Sequence, residues 1–250
     1  PAGVFITPSL TLNTDQILIQ DNIFNNFAYA GPQPGVESPD WRADGRVVGN
    51  GAMHFDGVGD FGVFQFPNQP QFDLGDSGSV TVWAQTDVGS KRHMIAGGAL
   101  EMQIDASNRV YFYPGNLGSS GTLVQSTTTV GPLAWTHIAF TWENAGATQL
   151  GRIYVNGTEV SYGSGLDPNV APNWTTFVNV INELTFVGRD PDNPGARDFQ
   201  GSMDDLAFYN SALSASDVLN IYSTGAATVA HASMVALWEF TTDPGLDPDH

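Results

Sequence analysis

The 250-residue chain has no cysteine, which excludes disulfide bonds and thiolate metal centres. That absence says nothing against secretion. Lysine is nearly missing too, Lys91 being the single one. With 8 Lys and Arg against 26 Asp and Glu, the formal net charge is −18. A surface of that sign repels nucleic acid and anionic lipid, so neither is expected as a partner. It attracts cations such as Ca²⁺ and also promotes solubility. No apolar run approaches the roughly 18 residues a membrane helix needs. Hydrolase signatures are absent: the chain has no Gly-x-Ser-x-Gly elbow and no His-Glu-x-x-His, and its five histidines are isolated. The chain is expected not to be an enzyme. It begins with Pro1 rather than Met, as a chain released from a leader would, and as an internal starting point would too.

Hydrophobic residues make up 41% of the chain, enough for a sizeable core, and 28 glycines with 15 prolines imply many turns. Period-2 alternation recurs, whereas helical periodicity is nearly absent. In Ser79–Thr86, Val80, Val82 and Ala84 share one face, and Thr81, Trp83 and Gln85 the other. In His137–Trp142, Ile138, Phe140 and Trp142 share a face. Arg152–Val155 runs into Asn156-Gly157, a type I′ hairpin signal, and Thr158–Tyr162 returns. Glu101–Ile104, Val110–Tyr113 and Leu184–Val187 complete a set of short strands separated by turn residues, the pattern of a two-sheet antiparallel sandwich. One short helix is predicted near residues 214–222. Ser214 and Asp217 form a capping box, Val218, Ile221 and Tyr222 a stripe, and Gly225 the stop. Two arms flank this body. Residues 1–45 carry the apolar run Gln16–Ile19, and residues 224–250 carry a second, Met234–Phe240.

Three phrases carry a family resemblance. Gly51-Ala52-Met53-His54-Phe55-Asp56-Gly57-Val58-Gly59-Asp60 resembles the opening of laminin G-like domains. Trp135-Thr136-His137-Ile138-Ala139-Phe140-Thr141 with Arg152-Ile153-Tyr154-Val155-Asn156-Gly157 resembles their central hairpin. Phe199–Ser214, containing Asp204-Asp205, resembles their closing strand. Together these phrases place a laminin G-like domain over residues 46–223. The resemblance implies an all-β, two-sheet jelly roll of the concanavalin A-like type, an extracellular or cell-surface location, frequent Ca²⁺ at one edge, and binding or adhesion rather than catalysis. The six glutamates are scattered, without the Glu-x-Asp-x-Glu strand that jelly-roll glucanases use. The family's usual first strand is missing from the N-terminal arm; Val235-Ala236-Leu237-Trp238-Glu239-Phe240 matches it from beyond the helix. That strand can fold back into its own sandwich, begin a truncated second repeat, or complete the sheet of a neighbouring molecule by strand addition.

By the resemblance, Asp56, the carbonyl of Gly57, Asp204 and Asp205 are the candidate Ca²⁺ ligands. Adjacent strand residues point to opposite faces, so one of Asp204 and Asp205 is expected to ligate. A second candidate is the Asp190-Pro191-Asp192-Asn193 loop with Asp198 nearby; Asx-turn chemistry explains it equally well. Trp41, Tyr111, Tyr113 and Trp174 are candidate stacking platforms for a sugar ring. Two functions follow. One is a Ca²⁺-stabilised recognition or adhesion module that binds a glycan or a surface protein. The other is a self-assembling subunit of a filament or layer, in which Met234, Val235, Leu237, Trp238 and Phe240 form a strand donated to another copy of the chain.

Overall fold

A computed structural model describes residues 12–13, 16–17, 19–20, 39–46, 51–65, 73–87, 92–97, 100–114, 124–144, 146, 149–163, 167–169, 184–191, 195–229 and 231–240. In chain order the first strands are β1 (Leu12–Asn13), β2 (Gln16–Ile17), β3 (Ile19–Gln20), β4 (Asp40–Arg42), β5 (Ala52–Asp56) and β6 (Gly62–Gln65). Then come β7 (Ser77–Thr86), β8 (Arg92–Gly97), β9 (Leu100–Ile104), β10 (Arg109–Pro114), β11 (Val124–Thr129) and β12 (Thr136–Asn144). The chain continues through β13 (Gln149–Val155), β14 (Thr158–Glu159), β15 (Leu184–Val187) and β16 (Gln200–Tyr209). It closes with α1 (Ala215–Thr224), α2 (Ala226–Val229) and β17 (Met234–Glu239).

Two sheets face each other, as the alternation requires. One has six strands in the order β11-β10-β9-β8-β15-β6. The other has nine, with β14-β13-β12-β7-β16-β17-β3 in order, β5 beside β16, and β4 beside β5. Between them lie Val80, Val82, Ile138, Phe140 and Trp142 from the larger sheet and Leu100, Met102, Ile104, Val110 and Phe112 from the smaller. Phe112 stacks on Phe140 across the gap. The indole of Trp142, fully buried, donates to the carbonyl of Leu74 at 2.7 Å, which removes the cost of hiding its N–H.

The outer face of the nine-stranded sheet is also covered. A second apolar cluster joins Ala139, Tyr154, Ala207 and Leu237 to Val218 and Ile221 of α1 and Ala226 of α2. Helix α1 begins as predicted: Ser214 accepts from Asp217 N–H, and the Asp217 side chain accepts from Ser214 N–H. The four-residue α2 shows no periodicity and was not expected from the sequence. The Asn156-Gly157 turn has φ of +50° and +76°, as a type I′ hairpin needs.

Strand β17 folds back into its own sandwich, the first of the three arrangements open to it. It pairs antiparallel with β16, with Leu206 opposite Trp238, and Val235, Ala236, Trp238 and Phe240 enter the inter-sheet core. Its other edge meets the N-terminal arm, where Trp238 and Glu239 pair in parallel with Ile19 and Gln20. Both arms therefore contribute strands to one sheet rather than standing apart from residues 46–223.

Candidate functional site

Asp56 and the Asp204–Asp205 pair do not meet. Asp56 lies opposite Gln200 in the β5–β16 ladder. That is four positions from Asp204, about 13 Å at ~3.3 Å per residue. Asp56 is exposed, and its Oδ1 accepts from Val58 N–H in an Asx-type turn. Gly57 turns there with φ of +82°. The expectation that Asp204 and Asp205 face opposite ways is also corrected. A bulge interrupts the β16–β7 register between Asp204 and Ala207, with Asp205 at φ +48°. Core-facing residues therefore run from Met203 to Leu206, and both carboxylates fall outside the inter-sheet core.

Asp204 Oδ1 accepts from Asp205 N–H at 2.8 Å, and Asp204 also accepts from the N–H of Phe240. Asp205 Oδ2 accepts from Arg46 Nη2 at 3.0 Å. Burial, together with the charge of Asp205, pushes Asp204 up to about 7. Burial also raises Asp205, against the pull of Arg46. The Arg46 guanidinium lies 4.6 Å over the ring of Trp83. Trp83 in turn packs against Tyr222 and His137 at centroid distances of 5.5 and 5.3 Å. Asp205 is already paired with the half-buried Arg46 guanidinium, whose positive charge would face a Ca²⁺ ion placed here, and the two carboxyls fall short of the 6–8 oxygens that Ca²⁺ takes. The group does hold β17 in place: Phe240 gives its N–H to Asp204, and its carbonyl accepts from Trp41 Nε1 at 2.9 Å.

In the second candidate loop, Asp190 is buried with Arg197 Nη1 at 3.4 Å. Asp198, also buried, accepts from Gly59 and Gly195 N–H at 3.1 Å each and ties this loop to the 56–60 turn. Burial raises its pKa. Asp192 lies outside the described residues. Among the described residues, no three His, Asp or Glu side chains are placed to hold one metal ion.

The four aromatic candidates separate. Trp41 is not an open platform: it is half-buried, packs on the core and spends its N–H on Phe240. Trp174 lies outside the described residues. Tyr111 and Tyr113 sit on β10, opposite Gln103 and Glu101 of β9. Tyr111 also faces Gln125 of β11.

Around Tyr111 the outer face of the six-stranded sheet carries a connected polar group. Its basis is the β9–β10 hairpin. There Asp105 Oδ1 accepts from Ser107 and Arg109 N–H, both at 2.8 Å. Asn108, at φ +60°, takes the left-handed position that asparagine tolerates. Asp105 Oδ2 accepts from Arg109 Nε at 2.9 Å and Nη2 at 2.7 Å. Tyr111 Oη lies 2.8 Å from the same oxygen. Burial alone would raise the Asp105 pKa, but the bonds from Arg109, Tyr111 and Ser107 hold it below the ordinary value. With its amide turned to satisfy both ends, the Gln125 oxygen accepts from Arg109 Nη2 at 3.0 Å and lies 2.7 Å from Tyr111 Oη. Further along, Gln103 Nε2 donates to Glu101 Oε1 at 3.0 Å, while Gln103 Oε1 is buried without a partner. Arg109, Tyr111 and Gln125 are half-exposed.

Asp105, Arg109, Gln103, Gln125 and Glu101 were not singled out from the sequence. The available signal was the alternation Glu101-x-Gln103-x-Asp105 followed by Arg109-x-Tyr111, which puts each set on one face of its own strand, while the β9–β10 register brings the two sets together. Glycoside hydrolysis does not suit this face. Glu101 and Asp105 are four strand positions apart, about 13 Å, beyond the roughly 5–9.5 Å that glycosidase carboxyl pairs use.

A family model described as "Laminin_G_3: Concanavalin A-like lectin/glucanases superfamily" matches residues 58–219. No curated protein matches the chain significantly. Among solved structures, domain 4 of an extracellular GH43 arabinanase from Geobacillus stearothermophilus, in complex with arabinotriose, is similar. It is 19% identical, with 80% of this chain and 86% of that chain covered and a TM-score of 0.51. The CBM40 of Ruminococcus gnavus IT-sialidase, bound to α2,3-sialyllactose, is 11% identical. It covers 68% of this chain and 96% of that chain, with a TM-score of 0.51.

Proposed function

Because the chain belongs to the concanavalin A-like lectin/glucanase superfamily, we propose that it is a non-catalytic glycan-binding module that works outside the cell. Its ligand lies on the outer face of the six-stranded sheet. The observation that carries this reading is the group of Tyr111, Arg109, Asp105 and Gln125, held on the adjacent strands β10 and β11 and the β9–β10 turn. A half-exposed ring there adjoins an amide, a carboxylate and a guanidinium whose positions are fixed by mutual hydrogen bonds. Sugars are held this way: one ring face stacks on an aromatic side chain while amides and carboxylates take the hydroxyls. Rigidity matters, because groups already in place lose little entropy on binding. The sugar ligands in the two similar structures support the class of ligand. The reading does not require Ca²⁺, so a chelator arm in the same titrations tests that sequence-based expectation separately.

The test is isothermal titration calorimetry of the intact chain against a panel of neutral and acidic oligosaccharides, repeated with Tyr111→Ala. We expect a ligand in the panel to bind at micromolar to low-millimolar strength, and Tyr111→Ala to weaken it at least about tenfold, an order typical of a stacking residue. If no glycan binds, or Tyr111→Ala binds as well as the native chain, the reading is wrong.

A further inference from the structure

We propose that Asp105 sets the specificity of this face: by closing the Arg109 guanidinium into an ion pair, it selects uncharged glycans over sugars that carry a carboxylate. The inference rests on the glycan-binding reading above. Arg109 supplies the positive charge among the described side chains of the face, and arginine is the usual receptor for a carboxylate because its planar N–H fork matches two oxygens. Here that fork is filled from inside the chain. Asp105 Oδ2 takes Nε and Nη2 at 2.9 and 2.7 Å. The Gln125 oxygen stands 2.9 Å from Nη1.

An acidic sugar cannot easily displace Asp105. Its other oxygen is pinned by the backbone N–H groups of Ser107 and Arg109, and Tyr111 Oη adds a further contact. The carboxylate thus stays beside the guanidinium by hairpin geometry, not by ion pairing alone. The remaining carboxylate favours donors. Glu101, on the same face, is an acceptor that already takes a hydrogen bond from Gln103 Nε2. A sugar hydroxyl donates a proton to such a group, while an ionised carboxyl cannot. The chain's charge of −18 adds long-range repulsion of anions.

The experiment compares neutral sugars with acidic counterparts: lactose against 3′-sialyllactose, which adds one acidic unit, and a galactose oligomer against oligogalacturonate, which bears a carboxyl on every unit. Calorimetry on the intact chain is run at about 0.05 M and about 1 M NaCl, where the Debye length falls to about 3 Å. We expect the neutral member to bind at least about tenfold tighter at low salt, with the gap narrowing at high salt. We expect Asp105→Asn, which keeps an oxygen for the hairpin N–H groups, to narrow the gap about tenfold at low salt. Equal or tighter binding of the acidic member overturns the inference and leaves the glycan-binding reading intact. A gap that salt does not change also overturns it, and this arm needs no variant, so it decides even if Asp105→Asn fails to fold. An Asp105→Asn protein that folds but keeps the native gap overturns the assignment to Asp105. Binding of neither member of any pair, nor of any other glycan, fails the glycan-binding reading itself, and this inference falls with it.

Discussion

Replacing Trp238 with alanine tests whether the C-terminal strand belongs to this chain's own core. Trp238 is 4% exposed. Its ring lies 4.7 Å from that of Phe64, on the six-stranded sheet, and 5.9 Å from that of Phe208, on the neighbouring strand. Truncation removes those contacts and leaves a cavity between rigid sheets, which costs about 3–5 kcal/mol for a buried Trp. In a domain of this size 1 kcal/mol is worth roughly 2–4 °C, so the melting temperature should fall by about 10 °C. The assay is thermal unfolding by near-UV circular dichroism, with a urea midpoint measured in parallel. Leu219→Ala, at a 50% exposed position on α1, is the control and should move the midpoint by no more than about 2 °C. A Trp238→Ala protein that melts within about 2 °C of the native chain would refute the reasoning, because a strand donated elsewhere would leave the monomer's core untouched.

Two pH dependences follow from buried groups. Both ring nitrogens of His137 are buried without partners, and burial, aided by Arg46, lowers its pKa to about 3. A histidine whose folded pKa is depressed costs stability as pH falls below its unfolded value of about 6.5. His137→Phe should therefore gain on the native chain steadily between pH 6.5 and pH 4 in urea midpoints, and a constant difference would contradict the assignment. Asp204 is the opposite case. Its pKa is raised from 3.8 to about 7, so its penalty grows as pH rises from about 4 and is complete above 7. Asp204→Asn should lose less stability than the native chain between pH 5 and pH 8; parallel curves would show that the carboxyl ionises freely.

Local chemistry made much of the fold legible. The Asn156-Gly157 turn, the Ser214–Asp217 box and the alternation along β7 and β12 each depend on neighbours in sequence, and each stands where its residues predict. The bulge at Asp204–Asp205 was not legible, because strict alternation is the only rule a strand pattern offers. The partner that meets Asp205 at the bulge, Arg46, is 159 positions away. The site shows the same limit. Tyr111 could be picked as an aromatic on a strand, but its neighbours Gln103 and Gln125 come from other strands whose register is a tertiary fact. The ion pair that binds Arg109 to Asp105 was closer to hand, since a short hairpin turn brings i and i+4 together. Trp41 misled for a related reason: its N–H is taken by a carbonyl 199 residues later.

The central claim is that a glycan binds on the outer face of the six-stranded sheet. The most direct test is a ¹H–¹⁵N correlation titration of the intact chain with the tightest-binding oligosaccharide of the panel. The account predicts that the largest shifts fall on the amides of β9, β10 and β11, centred on Gln103, Tyr111 and Gln125. Shifts centred instead on the 56–60 turn or on Gly131–Trp135, with those three strands unmoved, would contradict it.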